Sequence, residues 1–206
     1  MSAEQIEGRG ASGDGLCSSP DEGELRDRLR EARAHAEGDP GEGLPLVASL
    51  CHELAWDLLD EGLLSDAEAL VREELVAVRF LATYDPEAFL PNVADACENL
   101  AGILWEGGHP EEAEPLLREA LECYRTLAAS DPDEDGLPAL IPEAGPPMGV
   151  LATILAEEGR AKEAEELFRE GLSMYAILAQ AHPEREDFRL GEEAFRESLA
   201  QLSAGV

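Results

Sequence analysis

Three aspartates, Asp131, Asp133 and Asp135, alternate through the run DPDEDG, and Gly136 holds the sixth place. Hard cations such as calcium take oxygen ligands at this spacing, and a sixth-place glycine makes the sharp turn around them. The bidentate Glu that such a loop needs at its twelfth place is missing: Pro142 stands there and Glu143 comes one residue late. Pro132 and Pro138 also stiffen the backbone. The run therefore reads as an enlarged loop, and a calcium-responsive protein acting through residues 131–143 is an alternative. The histidines (His35, His52, His109 and His182) are scattered without metal-ligand spacing. No phosphate loop, nucleophile elbow or zinc helix occurs. The expectation is a non-enzymatic protein with no catalytic residue, no cofactor and no metal. Cys17, Cys51, Cys97 and Cys123 form no C-x-x-C pair, which fits reduced thiols in a cytoplasmic protein.

The charge narrows the partners. The 206 residues include 46 acidic and 15 basic side chains, a net charge of −31. Such a surface repels phosphate backbones and anionic membranes, so neither direct nucleic-acid binding nor membrane binding is expected. It attracts Lys/Arg-rich peptides or proteins by long-range steering. The plainer use of the charge is solubility. Apolar residues make up 44% and aromatics only 5%, so the core must be mostly Leu, Ala, Val and Ile, in a composition that favours helix. The first residues lack a basic stretch followed by an apolar one, so no signal peptide is expected. The longest nearly apolar run, GVLATILA from Gly149 to Ala156, falls far short of the ~20 residues of a membrane span.

The elements that would position any site are repeated. LLDEGLLSDAEALVREEL (Leu58 to Leu75), LWEGGHPEEAEPLLREAL (Leu104 to Leu121) and LAEEGRAKEAEELFREGL (Leu155 to Leu172) align residue by residue. Leu100 lies 46 residues after Leu54, and Leu151 lies 51 after Leu100; Gly62, Gly108 and Gly159 keep those spacings, as do Pro86, Pro132 and Pro183. Each unit reads as two helices. In the first, Leu46, Val47, Leu50, Cys51, Leu54, Ala55 and Leu58 form one apolar stripe, with Pro45 placed as a first-turn proline. Gly62 ends that helix, and Ser65-Asp66-Ala67-Glu68 has a capping-box pattern opening the next. The second stripe is Ala67, Leu70, Val71, Leu75, Val78 and Leu81, and the following Asp-Pro reads as its stop. Val93, Cys97, Leu100, Ala101 and Leu104 repeat the first stripe. Cys51 and Cys97 are thus equivalent and read as buried structural thiols. Glu68–Arg72, Glu114–Arg118 and Glu165–Arg169 are i,i+4 pairs in the favourable direction.

The expected organisation is a disordered tail over 1–18 and one repeat domain over 19–203. It divides into a half repeat (19–40, opened by a capping-box pattern at Ser19-Pro20-Asp21-Glu22), repeats over 44–86, 90–132 and 147–183, and a loop over 130–147. A capping helix over 184–203 would pack through Phe188, Leu190, Ala194, Phe195, Leu199 and Leu202. The first-helix faces not used by the Leu stripe carry the candidate binding residues. These are Ser49, His52, Glu53, Trp56 and Asp60 in the first unit, Asp95, Glu98, Asn99, Gly102, Trp105 and Glu106 in the second, and Thr153 and Glu157 in the third. Tryptophan beside carboxylates suits a Lys/Arg-containing peptide, through cation–π contact and charge-assisted hydrogen bonds.

The Leu–Ala step (Leu54-Ala55, Leu100-Ala101, Leu151-Ala152), the turn glycine, the Ala of the second helix with Val71, Leu117 or Phe168 four residues on, and the closing Pro together resemble the tetratricopeptide repeat. The unit is longer than the usual ~34 residues, and is similar to the extended variety of kinesin light chains and bacterial repeat proteins. Two positions depart from the pattern. The early first-helix aromatic is Cys51, Cys97 or Met148, and the small mid-second-helix residue is Ala120 and Gly171 in two copies but Glu74 in the other. The resemblance implies an all-α, right-handed α-solenoid whose first helices line a concave groove for peptides or protein surfaces. It also implies a clamp for a peptide carboxylate, which needs Lys or Arg on these faces; none lies there, so that clamp is not expected. The resulting expectation is an adaptor binding a basic partner in an acidic groove. An acidic, nucleic-acid-mimicking inhibitor of a basic protein is the other alternative.

Overall fold

The computed structural model describes residues 22–130 and 141–205. The tail over 1–18, the start of the first capping-box pattern, and Asp131, Asp133 and Asp135 lie outside the described residues. Within them the chain forms eight α-helices and no strand: α1 (Glu22–Gly38), α2 (Pro40–Asp60), α3 (Leu64–Ala82), α4 (Pro86–Glu106), α5 (Pro110–Ser130), α6 (Gly145–Glu157), α7 (Ala161–Ala181) and α8 (Glu186–Ala204), with a 3₁₀ turn, Pro142–Ala144, leading into α6. Each helix packs chiefly on the helices before and after it in the chain, which makes an all-α solenoid. Leu54, Leu100 and Leu151, one position in three copies, are each 1% exposed, so the stripe is the seam on which the hairpins stack.

The turns explain the regular hand-over between helices. Gly62, Gly108 and Gly159 have φ of +77°, +81° and +77°. In each turn the amide just after that glycine, three residues past the helix, reaches back to the last buried Leu: Leu63 to Leu58, His109 to Leu104 and Arg160 to Leu155, all at 2.8 Å. That is a glycine-dependent C-terminal cap, and a Cβ in the left-handed region would strain it.

The sequence expectations need four corrections here. The Asp-Pro steps are starts as much as stops. Asp39 and Asp85 are N-caps whose side chains accept from the amides of Glu42 (3.2 Å) and Ala88 (3.1 Å), and Pro40 and Pro86 hold the first helical position. Pro45, expected in the first turn, lies inside α2, as Pro91 lies inside α4. The Ser65–Glu68 capping box is not made: α3 begins at Leu64, with Leu63 as an N-cap that gives no side-chain bond. Two stripe residues point outward: Leu46 is 44% exposed and Leu190 is 58% exposed.

The three expected i,i+4 pairs form: Arg72–Glu68 at 2.8 Å, Arg118–Glu114 at 2.7 Å and Arg169–Glu165 at 2.6 Å. Beyond them runs a ladder between successive second helices. Arg33 bonds Glu73, Arg79 bonds Glu119 and Arg125 bonds Glu170, the same two positions at three junctions. Arg72–Glu112 and Arg118–Glu163 add a second rail. Each pair is partly exposed and contributes only about 0.2–1 kcal/mol. Repeated in register, they fix which second helix lies beside which.

Gly108→Ala should destabilise the fold by about 1–2 kcal/mol, because L-residues resist a left-handed backbone. Urea unfolding checks this: a midpoint at or above that of the parent chain would contradict the cap.

Candidate functional site

None of α2, α4 and α6 contains a Lys or Arg, whereas α1, α3, α5 and α7 all do. The ladders hold arginines on the second-helix layer and leave the first-helix face acidic. Asp60, Glu106 and Glu157 close the three first helices at one equivalent position, with no base in any last turn. A helix C-terminus is itself partly negative, so each such acid costs about 0.3–1 kcal/mol locally.

The structure brings the candidate residues into two clusters. In the first, the Trp56 indole N–H donates to Nε2 of His52 at 3.1 Å. An indole only donates, so that imidazole nitrogen accepts and the ring proton sits on Nδ1. Nδ1 then donates to Glu74 Oε1, also at 3.1 Å. Glu74 is 5% exposed, and burial raises its pKa while His52 draws it down. Trp56 remains 49% exposed, its ring edge-on to His52. A cavity of about 260 Å³ opens between α2, α3 and α4, lined by His52, Glu74 and Asp95 among others.

The second cluster joins α4 to α5. The Tyr124 hydroxyl donates to Glu98 Oε1 at 2.6 Å and lies 3.4 Å from Asp95 Oδ1. The hydroxyl has one proton, and the shorter contact takes it. Burial is the main cause that pushes Glu98 up to about 7; the Tyr124 bond opposes it, and Asp95 and Glu143 reinforce it. Asp95 is raised for the same chief reason, with Tyr124 and His52 opposing and Glu143 adding. Glu143 thus acts on this cluster from the turn before α6.

The remaining candidates are more dispersed. Glu53, Asp60, Glu106 and Glu157 are exposed, and Asn99 is half-buried. Trp105, 36% exposed, shares a cavity with Thr153, Gly149 and Tyr175. Thr153 bonds back to the Gly149 carbonyl at 2.9 Å and also borders a second cavity with Glu157. Among the described residues no three His, Cys, Asp or Glu side chains form a group that could hold a metal, and no helix is long and apolar enough to cross a membrane. The Cys51 and Cys97 thiols are fully buried, and that burial pushes both up to about 12, as unreactive structural groups. Sequence reasoning missed Glu74 and Tyr124 as members of the site. The signal for Glu74 was present, as the one charged residue at a position that is Ala120 and Gly171 elsewhere.

These features define a helix-hairpin repeat array with one acidic face. Residues 93–133 and 148–184 match the tetratricopeptide repeat family model. Such repeats are generally protein–protein interaction scaffolds and typically non-enzymatic. Among solved structures, a kinesin-light-chain protein with nearly identical TPR-like repeats from Podosopora anserina is 19% identical, with 89% of this chain and 98% of that chain covered at a TM-score of 0.47. BtubC (BKLC) from P. vanneervenii is 18% identical, with 89% and 90% covered and a TM-score of 0.37. No curated protein matches the chain.

A carboxylic acid whose pKa is higher folded than unfolded holds its proton more tightly when folded. Its contribution to stability is full below the unfolded value and is lost as pH rises through the folded one. Glu98 should therefore make the protein less stable as pH climbs from about 4.5 to about 7. Since Glu98 is only partly covered, the effect is about 1–2 kcal/mol. Self-repulsion of the net charge adds a slope of the same sign, so the variant is decisive. Glu98→Gln should flatten the urea-midpoint profile across this window and raise stability at its upper end; a profile superimposable on the parent's would contradict the assignment.

Proposed function

We propose that this chain is a non-enzymatic adaptor that binds a Lys/Arg-rich segment of another protein along the face lined by α2, α4 and α6. The observation that carries this reading is the absence of any Lys or Arg from those three helices while Glu74, Asp95 and Glu98 face their junctions. A face of this kind costs stability in the free protein, because partly buried carboxylates crowd one another. A cationic partner removes that cost and gains charge-assisted hydrogen bonds. The exposed ring of Trp56 adds a surface for an arginine or lysine side chain, and tryptophan is a frequent interface anchor. The same charge disfavours phosphate-bearing partners and any peptide held by its C-terminal carboxylate.

Binding to a Lys/Arg-rich peptide library tests the reading. Selected peptides should weaken markedly between ~0.01 M and ~1 M salt, over which the screening length falls from about 30 Å to about 3 Å. The double variant Trp56→Ala with Glu98→Lys should lose at least about tenfold in affinity, as expected when a stacking anchor is removed and an ion-pair partner reversed. Failure to select any salt-sensitive peptide, or equal binding by the variant, would refute it.

A further inference from the structure

We infer that the cavity between α2, α3 and α4 is a pocket for a single lysine side chain of the partner, with the Glu74 carboxylate as its counter-charge. This rests on the basic-segment reading above and names the residue the segment must place there.

The motive is an unsatisfied charge. The Glu74 side chain is 7% exposed, its Oε1 is taken by His52, and its Oε2 has no hydrogen-bond partner among the described residues. Native proteins rarely bury a polar atom without a partner, and a carboxylate oxygen is among the costliest to leave so. Glu74 is one of the residues lining the cavity. The fold does not require an acid here. The equivalent residue in the next copy is Ala120, buried and apolar. In the third copy it is Gly171, where the Phe195 ring of α8 comes so close that a Cβ would lie 2.4 Å from it. Only the first copy combines the acid with open space.

The shape and chemistry favour lysine. The cavity, about 260 Å³, is smaller than the ~300 Å³ at which small-molecule pockets begin, and suits one long side chain. Pro45, Ala48, Val78 and Phe89 provide apolar walls for a four-carbon stem. Ser49, Asn92 and Asp95 place oxygen atoms around the same cavity as Glu74, so an ammonium with three donors finds several acceptors. Arginine gains most from two parallel bonds to one carboxylate, and His52 has already occupied one of the two oxygens.

Short peptides with arginine flanks and a central Lys, Arg or norleucine provide the test, with affinities measured for the parent chain, Glu74→Ala and Asp95→Asn. The parent should prefer central Lys to norleucine by about tenfold or more, the scale of a hydrogen bond to a charged group. Glu74→Ala should bring that ratio to about one while still binding the flanks, and should unfold in urea at a midpoint equal to or above the parent's. Asp95→Asn should reduce the ratio without abolishing it. Binding indifferent to the central residue, or a lysine preference kept by Glu74→Ala, would overturn the pocket and leave the groove reading standing. If no peptide binds the parent chain, the groove reading fails, and the pocket with it.

Discussion

One helix hairpin of this chain cannot bury its own apolar stripe. Leu54, Leu100 and Leu151 reach 1% exposure only because a neighbouring helix closes over each of them. Everything else follows from that need to stack. A stack requires every hairpin to turn at the same point, which the positive-φ glycines at 62, 108 and 159 secure. It also requires a fixed choice of neighbour, which the Arg33–Glu73, Arg79–Glu119 and Arg125–Glu170 ladder encodes. The end of the stack is closed by α8, whose Phe188 and Phe195 are buried.

The stacking requirement also shapes the electrostatics. Charged residues along the second helices are drawn into ladders, so most basic side chains of the repeats already face an acid. The first helices carry acids alone. Most of their carboxylates are exposed, and burial pushes Glu98, half-buried where α4 meets α5, up to about 7. One layer therefore holds the array together, and the other presents uncompensated negative charge. The Trp56–His52–Glu74 chain links the two layers, because it runs from an exposed ring on α2 to a buried acid on α3.

Local signals made much of this legible. Turn glycines, Leu–Ala steps and i,i+4 Glu–Arg pairs each depend on residues close in sequence, and they located the hairpins. The helix starts were less legible. Only Thr83, Tyr84 and Asp85 separate α3 from α4, so one Asp-Pro serves both as an end and as a beginning. The interior prolines Pro45 and Pro91 sit where a first-turn proline would also be plausible. Glu74 was visible as an odd residue but not as a buried one, since periodicity counts a charged side chain as outward. Its burial follows from His52, twenty-two residues earlier, which no local pattern reports. The ladder was readable only by comparing equivalent positions at a separation of forty or more residues.

The central claim is that the α2–α4–α6 face, rather than the ladder face, meets the partner. The chain has two tryptophans, Trp56 and Trp105, both at least a third exposed on that face. A nuclear magnetic resonance titration with a Lys/Arg-rich peptide reads their two indole N–H signals directly. The account predicts that the Trp56 signal shifts most, as its bond to His52 is disturbed, and that amides of α2 and α4 shift with it. Unmoved indoles, with shifts confined to α1, α3, α5 and α7, would contradict it.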